Sequence, residues 1–158
     1  MAGQPTEGRK APDFDLPGSG GERVSLKGLK GRTLVLYFYP KDDTPGCTVE
    51  ACEFGAGHAA LQRAGALLLG VSPDNVESHA KFIAKFKLPF TLLADVDHAV
   101  AEAYGVWVMK SMYGKEYMGV QRATFLIDGQ GLVRRTWPKV KPEGHAAGVL
   151  AALKEMKA

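Results

Sequence analysis

Cysteine is scarce in this chain: two residues among 158, Cys47 and Cys52. Long apolar runs are missing as well, and none approaches the ~18 residues that make a membrane helix. The opening segment MAGQPTEGRKAP has no apolar stretch of the secretory type. Charge of one sign is weak too, since 20 basic against 17 acidic residues leave a net +3, dispersed along the chain. That balance gives no argument for nucleic acid; Arg134, Arg135, Lys139 and Lys141 form a modest basic patch that a solvated sheet edge explains. Internal repeats and low-complexity linkers are also absent. The expectation is a soluble cytoplasmic protein of one domain, residues 1–158, with neither membrane nor nucleic acid as partner. In a reducing cytosol two nearby cysteines point to catalysis, redox sensing or metal binding before a structural staple.

An apolar fraction of 46% is enough for a sizeable core. Residues 1–10 read as a flexible arm. Asp13–Leu16 and Glu22–Leu26 are short extended pieces joined by Pro17-Gly18-Ser19-Gly20-Gly21, an N-terminal hairpin. Thr33–Tyr39 and Ala66–Ser72 are continuous apolar runs suited to strands buried on both faces. Helices are expected from Pro45 towards Ala64, over Val76–Phe86, from an Asp97 cap to Tyr104, and over Glu143–Met156. Phe90–Leu93 is a short strand, and Ala123–Ile127 with Leu132–Trp137 a hairpin around Asp128-Gly129-Gln130-Gly131. Val106–Val120, rich in Met and aromatics, has no clear assignment. The order gives an α/β fold, a central mixed β-sheet with helices on both faces.

Both cysteines fall in one stretch, PKDDTPGCTVEAC, between a buried strand and a helix. Thr44 is a favoured N-cap and Pro45 a favoured first helical residue. Cys47 then occupies the third helical position, where backbone N–H groups lack intrahelical acceptors and the dipole favours an anion. For cysteine that anion is the thiolate, the nucleophilic form. An ordinary thiol near ~8.5 is only roughly 3% thiolate at pH 7, and a drop of about two units makes it mostly thiolate. A helix start does not supply all of that, so a cation from elsewhere is needed. The Thr44 hydroxyl can accept from the Cys47 N–H while donating to the sulfur or a substrate oxygen.

Cys52 stands five residues on, which in a continuous helix puts the two Cα atoms about 8.7 Å apart. A disulfide needs less than about 7 Å, so the bond forms only if the helix locally unwinds. Gly55 and Gly57 are either a weak point that lets the turn melt or a means of packing close to the sheet. Metal binding is the main rival, but C-x4-C with His58, His79, His98 and His145 scattered matches no tight zinc spacing. The C-x-x-C of a thioredoxin is missing, and the helix-cap arrangement argues against inert core cysteines.

Pro40-x-x-x-Thr44-x-x-Cys47 resembles the active-site motif of the peroxiredoxins, and TPGCTVEAC that of their bacterioferritin-comigratory (Q-type) subgroup. GRKAPDFDLP, YGVW and YMGVQRATFLID extend the likeness over nearly the whole chain. The resemblance implies a thioredoxin-like fold and reduction of hydrogen peroxide or organic hydroperoxides, with a thioredoxin-like reductant and no metal, flavin or haem cofactor. By position Cys47 matches the peroxidatic cysteine and Cys52 the resolving one. Thr44 matches the residue that bonds sulfur and peroxide, and Pro40 the one that shields the pocket. Arg122 matches the family arginine, the missing cation, and Glu50 an acid that orients it. A disulfide within one chain removes the chemical need for a dimer, so a monomer is expected. Two other classes stay open: a redox-switched binding protein using Val106–Met118 as an apolar surface, and a thioredoxin-like disulfide reductase.

Overall fold

The computed structural model describes residues 3–157. Its centre is a five-stranded sheet built from β3 (Thr33–Phe38), β4 (Ala66–Ser72), β5 (Thr91–Ala94), β8 (Ala123–Ile127) and β9 (Val133–Trp137), in the order β5-β4-β3-β8-β9. β3 runs parallel to β4 and antiparallel to β8, and β4 runs parallel to β5, so the sheet is mixed as expected. All six residues of β3 are buried because the strand is covered on both faces. Successive side chains alternate between two cores. Val35 and Tyr37 join Phe54, Phe82 and Val149 under α1 (Pro45–Arg63), α2 (Val76–Phe86) and α4 (His145–Lys157). Leu34, Leu36 and Phe38 join Phe14, Val100, Tyr104 and Val120 on the other face, which carries the five-residue α3 (Ala99–Ala103).

The N-terminal hairpin is present as β1 (Asp15–Pro17) and β2 (Arg23–Ser25). Residues 8–10 depart from the flexible arm read in the sequence. Lys10 bridges Leu132, while the Gly8 and Ala11 N–H groups donate to Val133 and Gly131 carbonyls. The polar backbone of this segment is thus satisfied on the β9 side of the sheet; residues 1 and 2 lie outside the described residues. α3 begins two residues later than its expected cap. His98 adopts φ +52°, and buried Asp95 accepts from the Val100 and Ala101 N–H groups, whereas Asp97 accepts only from Ala99. α4 starts at His145 rather than Glu143, because Gly144 takes a left-handed φ of +79°.

The unassigned stretch 106–120 is a hairpin, β6 (Trp107–Met112) and β7 (Lys115–Val120). Tyr113 and Gly114 both have positive φ, the primed turn that suits a two-residue loop. Its base packs on the core through Val106 and Val120, and Trp107 stacks on His98. Its far end leaves Met109, Met112 and Tyr113 exposed.

Candidate active site

β3 and β8 are antiparallel neighbours, so the C-terminal end of one lies beside the N-terminal start of the other, with Phe38 facing Ala123. That register brings Arg122, immediately before β8, next to the loop that leaves β3 and enters α1. Backbone bonds hold the arginine there: its carbonyl accepts from the Val140 N–H, and the Gln121 N–H donates to Val106.

Cys47 is the third residue of α1 and almost wholly buried, at 1% exposure. Arg122 Nη2 donates to Cys47 Sγ at 3.4 Å, and Nη1 donates to Glu50 Oε1 at 2.6 Å. One guanidinium therefore spans two anion-forming groups three residues apart on the same helix face, the planar fork doing what a point charge cannot. Burial works against the arginine's charge, yet Glu50 and Cys47 together raise its pKa above the ordinary value. Burial also pushes Glu50 up to about 7, against the pull of Arg122. Gly46 makes the contact sterically feasible, since a Cβ there would lie 3.1 Å from Arg122 Nη2 and 3.4 Å from Pro142 Cγ. The sequence reading missed this role, although a glycine in the first turn of a helix, where propensity disfavours it, was the available signal.

Thr44 has the extended backbone of an N-cap, and its carbonyl accepts from the Thr48 N–H at 2.8 Å. Its hydroxyl does not follow the expected pattern. Thr44 Oγ1 donates to the Lys41 carbonyl at 2.8 Å and makes no cap bond to the Cys47 N–H. The proton is committed to the loop backbone, which leaves the oxygen only its acceptor capacity. Pro40, half-buried, links Tyr39 to this loop.

The loop is held from α2 by a buried network that sequence reading did not find. Asp42 Oδ2 meets His79 Nδ1 and the Ser78 hydroxyl, both at 2.8 Å, and Oδ1 accepts from the Tyr39 hydroxyl. The Asp42 N–H donates to Asp74 Oδ2, and Lys85 pairs with Asp43. Asp42, Asp74 and His79 stand close enough together to hold a metal ion, but each is spent on these bonds, with His79 Nε2 on the Leu93 carbonyl. Asp43 takes φ +56° in the tight turn before Thr44.

Cys52 is exposed while Cys47 is buried, and both are free thiols in one uninterrupted helix. Five residues of α-helix rotate about 140°, so the two sulfurs leave on different sides. Gly55 lies against Pro89, where a Cβ would approach Cδ to 3.3 Å, which supports the packing reading for that glycine; Gly57 faces open space.

This geometry has relatives. The AhpC/TSA family model matches residues 8–136. Peroxiredoxin Bcp of Bacillus subtilis is 52% identical over 149 residues, covering 94% of this chain and 95% of its own. The chain belongs to the AhpC/TSA family, as a peroxiredoxin of the bacterioferritin-comigratory type. Among solved structures, the bacterioferritin comigratory protein of Xanthomonas campestris, studied as a trapped intermediate/ligand complex for alkyl peroxide reduction, superposes with TM-score 0.87 at 46% identity over 92% of both chains. A serine mutant of PrxQ from Xylella fastidiosa superposes with TM-score 0.93 at 35% identity, covering 99% of this chain and 100% of that one. The peroxiredoxin therefore has the thioredoxin-like fold read from its motifs. Among the described residues no helix is long and apolar enough to cross a membrane.

Proposed function

We propose that this thiol peroxidase uses Cys47 as the peroxidatic nucleophile and Cys52 as its resolving partner. The observation that carries the reading is Arg122, fixed by its backbone, donating to Cys47 Sγ at 3.4 Å on the first turn of α1. The Cys47 thiolate attacks one oxygen of a hydrogen peroxide or organic hydroperoxide in line with the O–O bond. That bond breaks, the second oxygen leaves with the electron pair and takes a proton to become water or alcohol, and Cys47 becomes a sulfenic acid. Arg122 and the N–H groups of the helix start stabilise the charge that builds on both oxygens. Thr44 accepts from the peroxide O–H, the role its committed proton leaves it. Pro40 shields the sulfur, and Glu50 aims the guanidinium.

The Cys52 thiolate then attacks the sulfenic sulfur and releases water, after α1 has unwound enough to bring the sulfurs together. A dithiol protein of the thioredoxin kind exchanges with this disulfide, returning two thiols and leaving oxidised itself. The reading takes the chain as one domain acting as a cytoplasmic monomer; the central sheet with a core on each face supports the single domain, and two cysteines on a single helix support the monomer.

The test is stopped-flow peroxide consumption combined with peptide mapping after one equivalent of oxidant. Cys47→Ser should lose turnover completely. Cys52→Ser should take up one equivalent at Cys47 and stop. Turnover surviving in Cys47→Ser would sink the assignment.

A further inference from the structure

Two buried polar atoms beside the site have no hydrogen-bond partner among the described residues, the Tyr37 hydroxyl and Glu50 Oε2. Both lie where β3 packs under α1. Tyr37 lies mid-way along β3 on the face covered by α1, and its ring stacks on Phe54 with centroids 4.7 Å apart. Glu50 sits one helical turn before Phe54. The charged groups that bear on the phenol are Glu50 first, then Cys47, Asp42 and Arg122. Lys110 and His145 are the other titratable groups that feel Arg122.

The sequence makes room for the polar end of this ring. Gly70 is paired with Tyr37 across β3 and β4, and a Cβ there would fall 2.8 Å from Tyr37 Cζ and from Leu92 Cδ2. Phenylalanine already fills neighbouring positions of the molecule's two cores, at Phe38, Phe54 and Phe90. It would pack at residue 37 without burying a hydroxyl, and a buried hydroxyl left unpaired is a net cost. The phenol is therefore there for its hydrogen.

We propose that the Tyr37 hydroxyl donates through one bridging water to Glu50 Oε2 and so acts as a positioning residue for Arg122. The proposal rests on the roles given above to Cys47, Arg122 and Glu50. Glu50 has one oxygen bonded to the guanidinium and the other buried without a partner among the described residues, an arrangement that favours taking up a proton on Oε2. A donor at Oε2 favours the ionised form instead and keeps the carboxylate as the anchor of Arg122. Tyr37 suits that task because burial, and then the Glu50 charge, hold its pKa well above the ordinary value, so the phenol keeps its proton throughout.

Tyr37→Phe in a Cys52→Ser background tests this, since only the first oxidation then occurs. Two readouts are followed from pH 5 to 9: the rate of Cys47 oxidation by hydrogen peroxide, and the infrared band of the protonated carboxyl that Glu50→Gln removes. The expected result is a carboxyl midpoint about one unit higher, with a rate at pH 7 lowered by about five- to tenfold. The rate should approach that of the parent near pH 9, with an unchanged circular dichroism spectrum. An unmoved midpoint and an unaltered rate profile would overturn the proposal while leaving the peroxidase reading intact. A Cys52→Ser parent that hydrogen peroxide does not oxidise at Cys47 would overturn both.

Discussion

Arg122 is held still. Its carbonyl is tied to Val140, and its two terminal nitrogens are divided between Cys47 and Glu50. A donor fixed before the reaction needs no reorganisation when charge develops, and losing one such donor costs about 10²–10³ in rate. Arg122→Met should slow the oxidation of Cys47 by that order, and Arg122→Lys should recover little of it because an ammonium cannot fork to both partners. Stopped-flow rates within about twofold of the parent would remove Arg122 from the chemistry. Gly46→Ala separates the site from the helix that bears it. Alanine improves helix propensity by about 1 kcal/mol, yet its Cβ would press on Nη2. Oxidation should therefore slow even if the melting temperature holds or rises. At this scale the sequence supplied Cys47 and its helix start from local chemistry, but a partner 75 positions away came only through resemblance to a family. The Thr44 hydroxyl was misread because it carries both a donor and acceptors, and only the neighbouring Lys41 carbonyl decides which is spent.

Among the elements, α4 carries a consequence for acid stability. His145, its first residue, is buried with Nε2 2.7 Å from the Thr124 hydroxyl. Burial, and secondarily Arg122, lower its pKa to about 4. The unfolded chain therefore takes up this proton before the fold does. Stability from the neutral ring is present above the unfolded value of 6.5 and is lost as pH falls from there towards 4. The loss should be on the order of 1–2 kcal/mol. His145→Gln should flatten this part of the profile in denaturant melts at pH 7 and pH 4.5; an equally steep decline would assign it to other groups. The strands legible in the sequence were those whose burial shows as apolar runs, β3, β4 and the shorter β5, or whose turn is marked by Gly with Pro or Asp, between β1 and β2 and between β8 and β9. The β6–β7 hairpin escaped because its turn is Tyr113-Gly114, an unusual carrier of positive φ, and because one end is buried while the other is exposed. The cap of α3 escaped for a related reason, since buried Asp95 outcompetes the nearer Asp97 only in the folded arrangement.

For the molecule as a whole, the decisive question is whether the catalytic cycle closes within one chain. Buried Cys47 and exposed Cys52 share a helix that is continuous from residue 45 to 63 in the reduced state, so the disulfide competes directly with helical order. The sheet does not need to follow, because β3 is paired with β4 along its whole length and with β8 from Leu34 to Phe38 whether or not α1's first turns melt. Oxidation should thus strip amide-exchange protection from residues 48–52, whose N–H groups are the first of α1 to be bonded within the helix, while β3 stays protected. The same geometry fixes the kinetic order. Two sulfurs tethered by four intervening residues meet at high effective concentration once the helix opens, whereas a partner chain must be found by diffusion. Disulfide formation from the sulfenic acid should therefore be first order, with a rate constant unchanged over a hundredfold dilution of protein, and the product should keep the mass of a single chain on a non-reducing gel. A rate that falls in proportion to protein concentration, or a covalent dimer, would move the resolving step between chains. It would also leave α1 without a reason to carry Cys52 on its outer face.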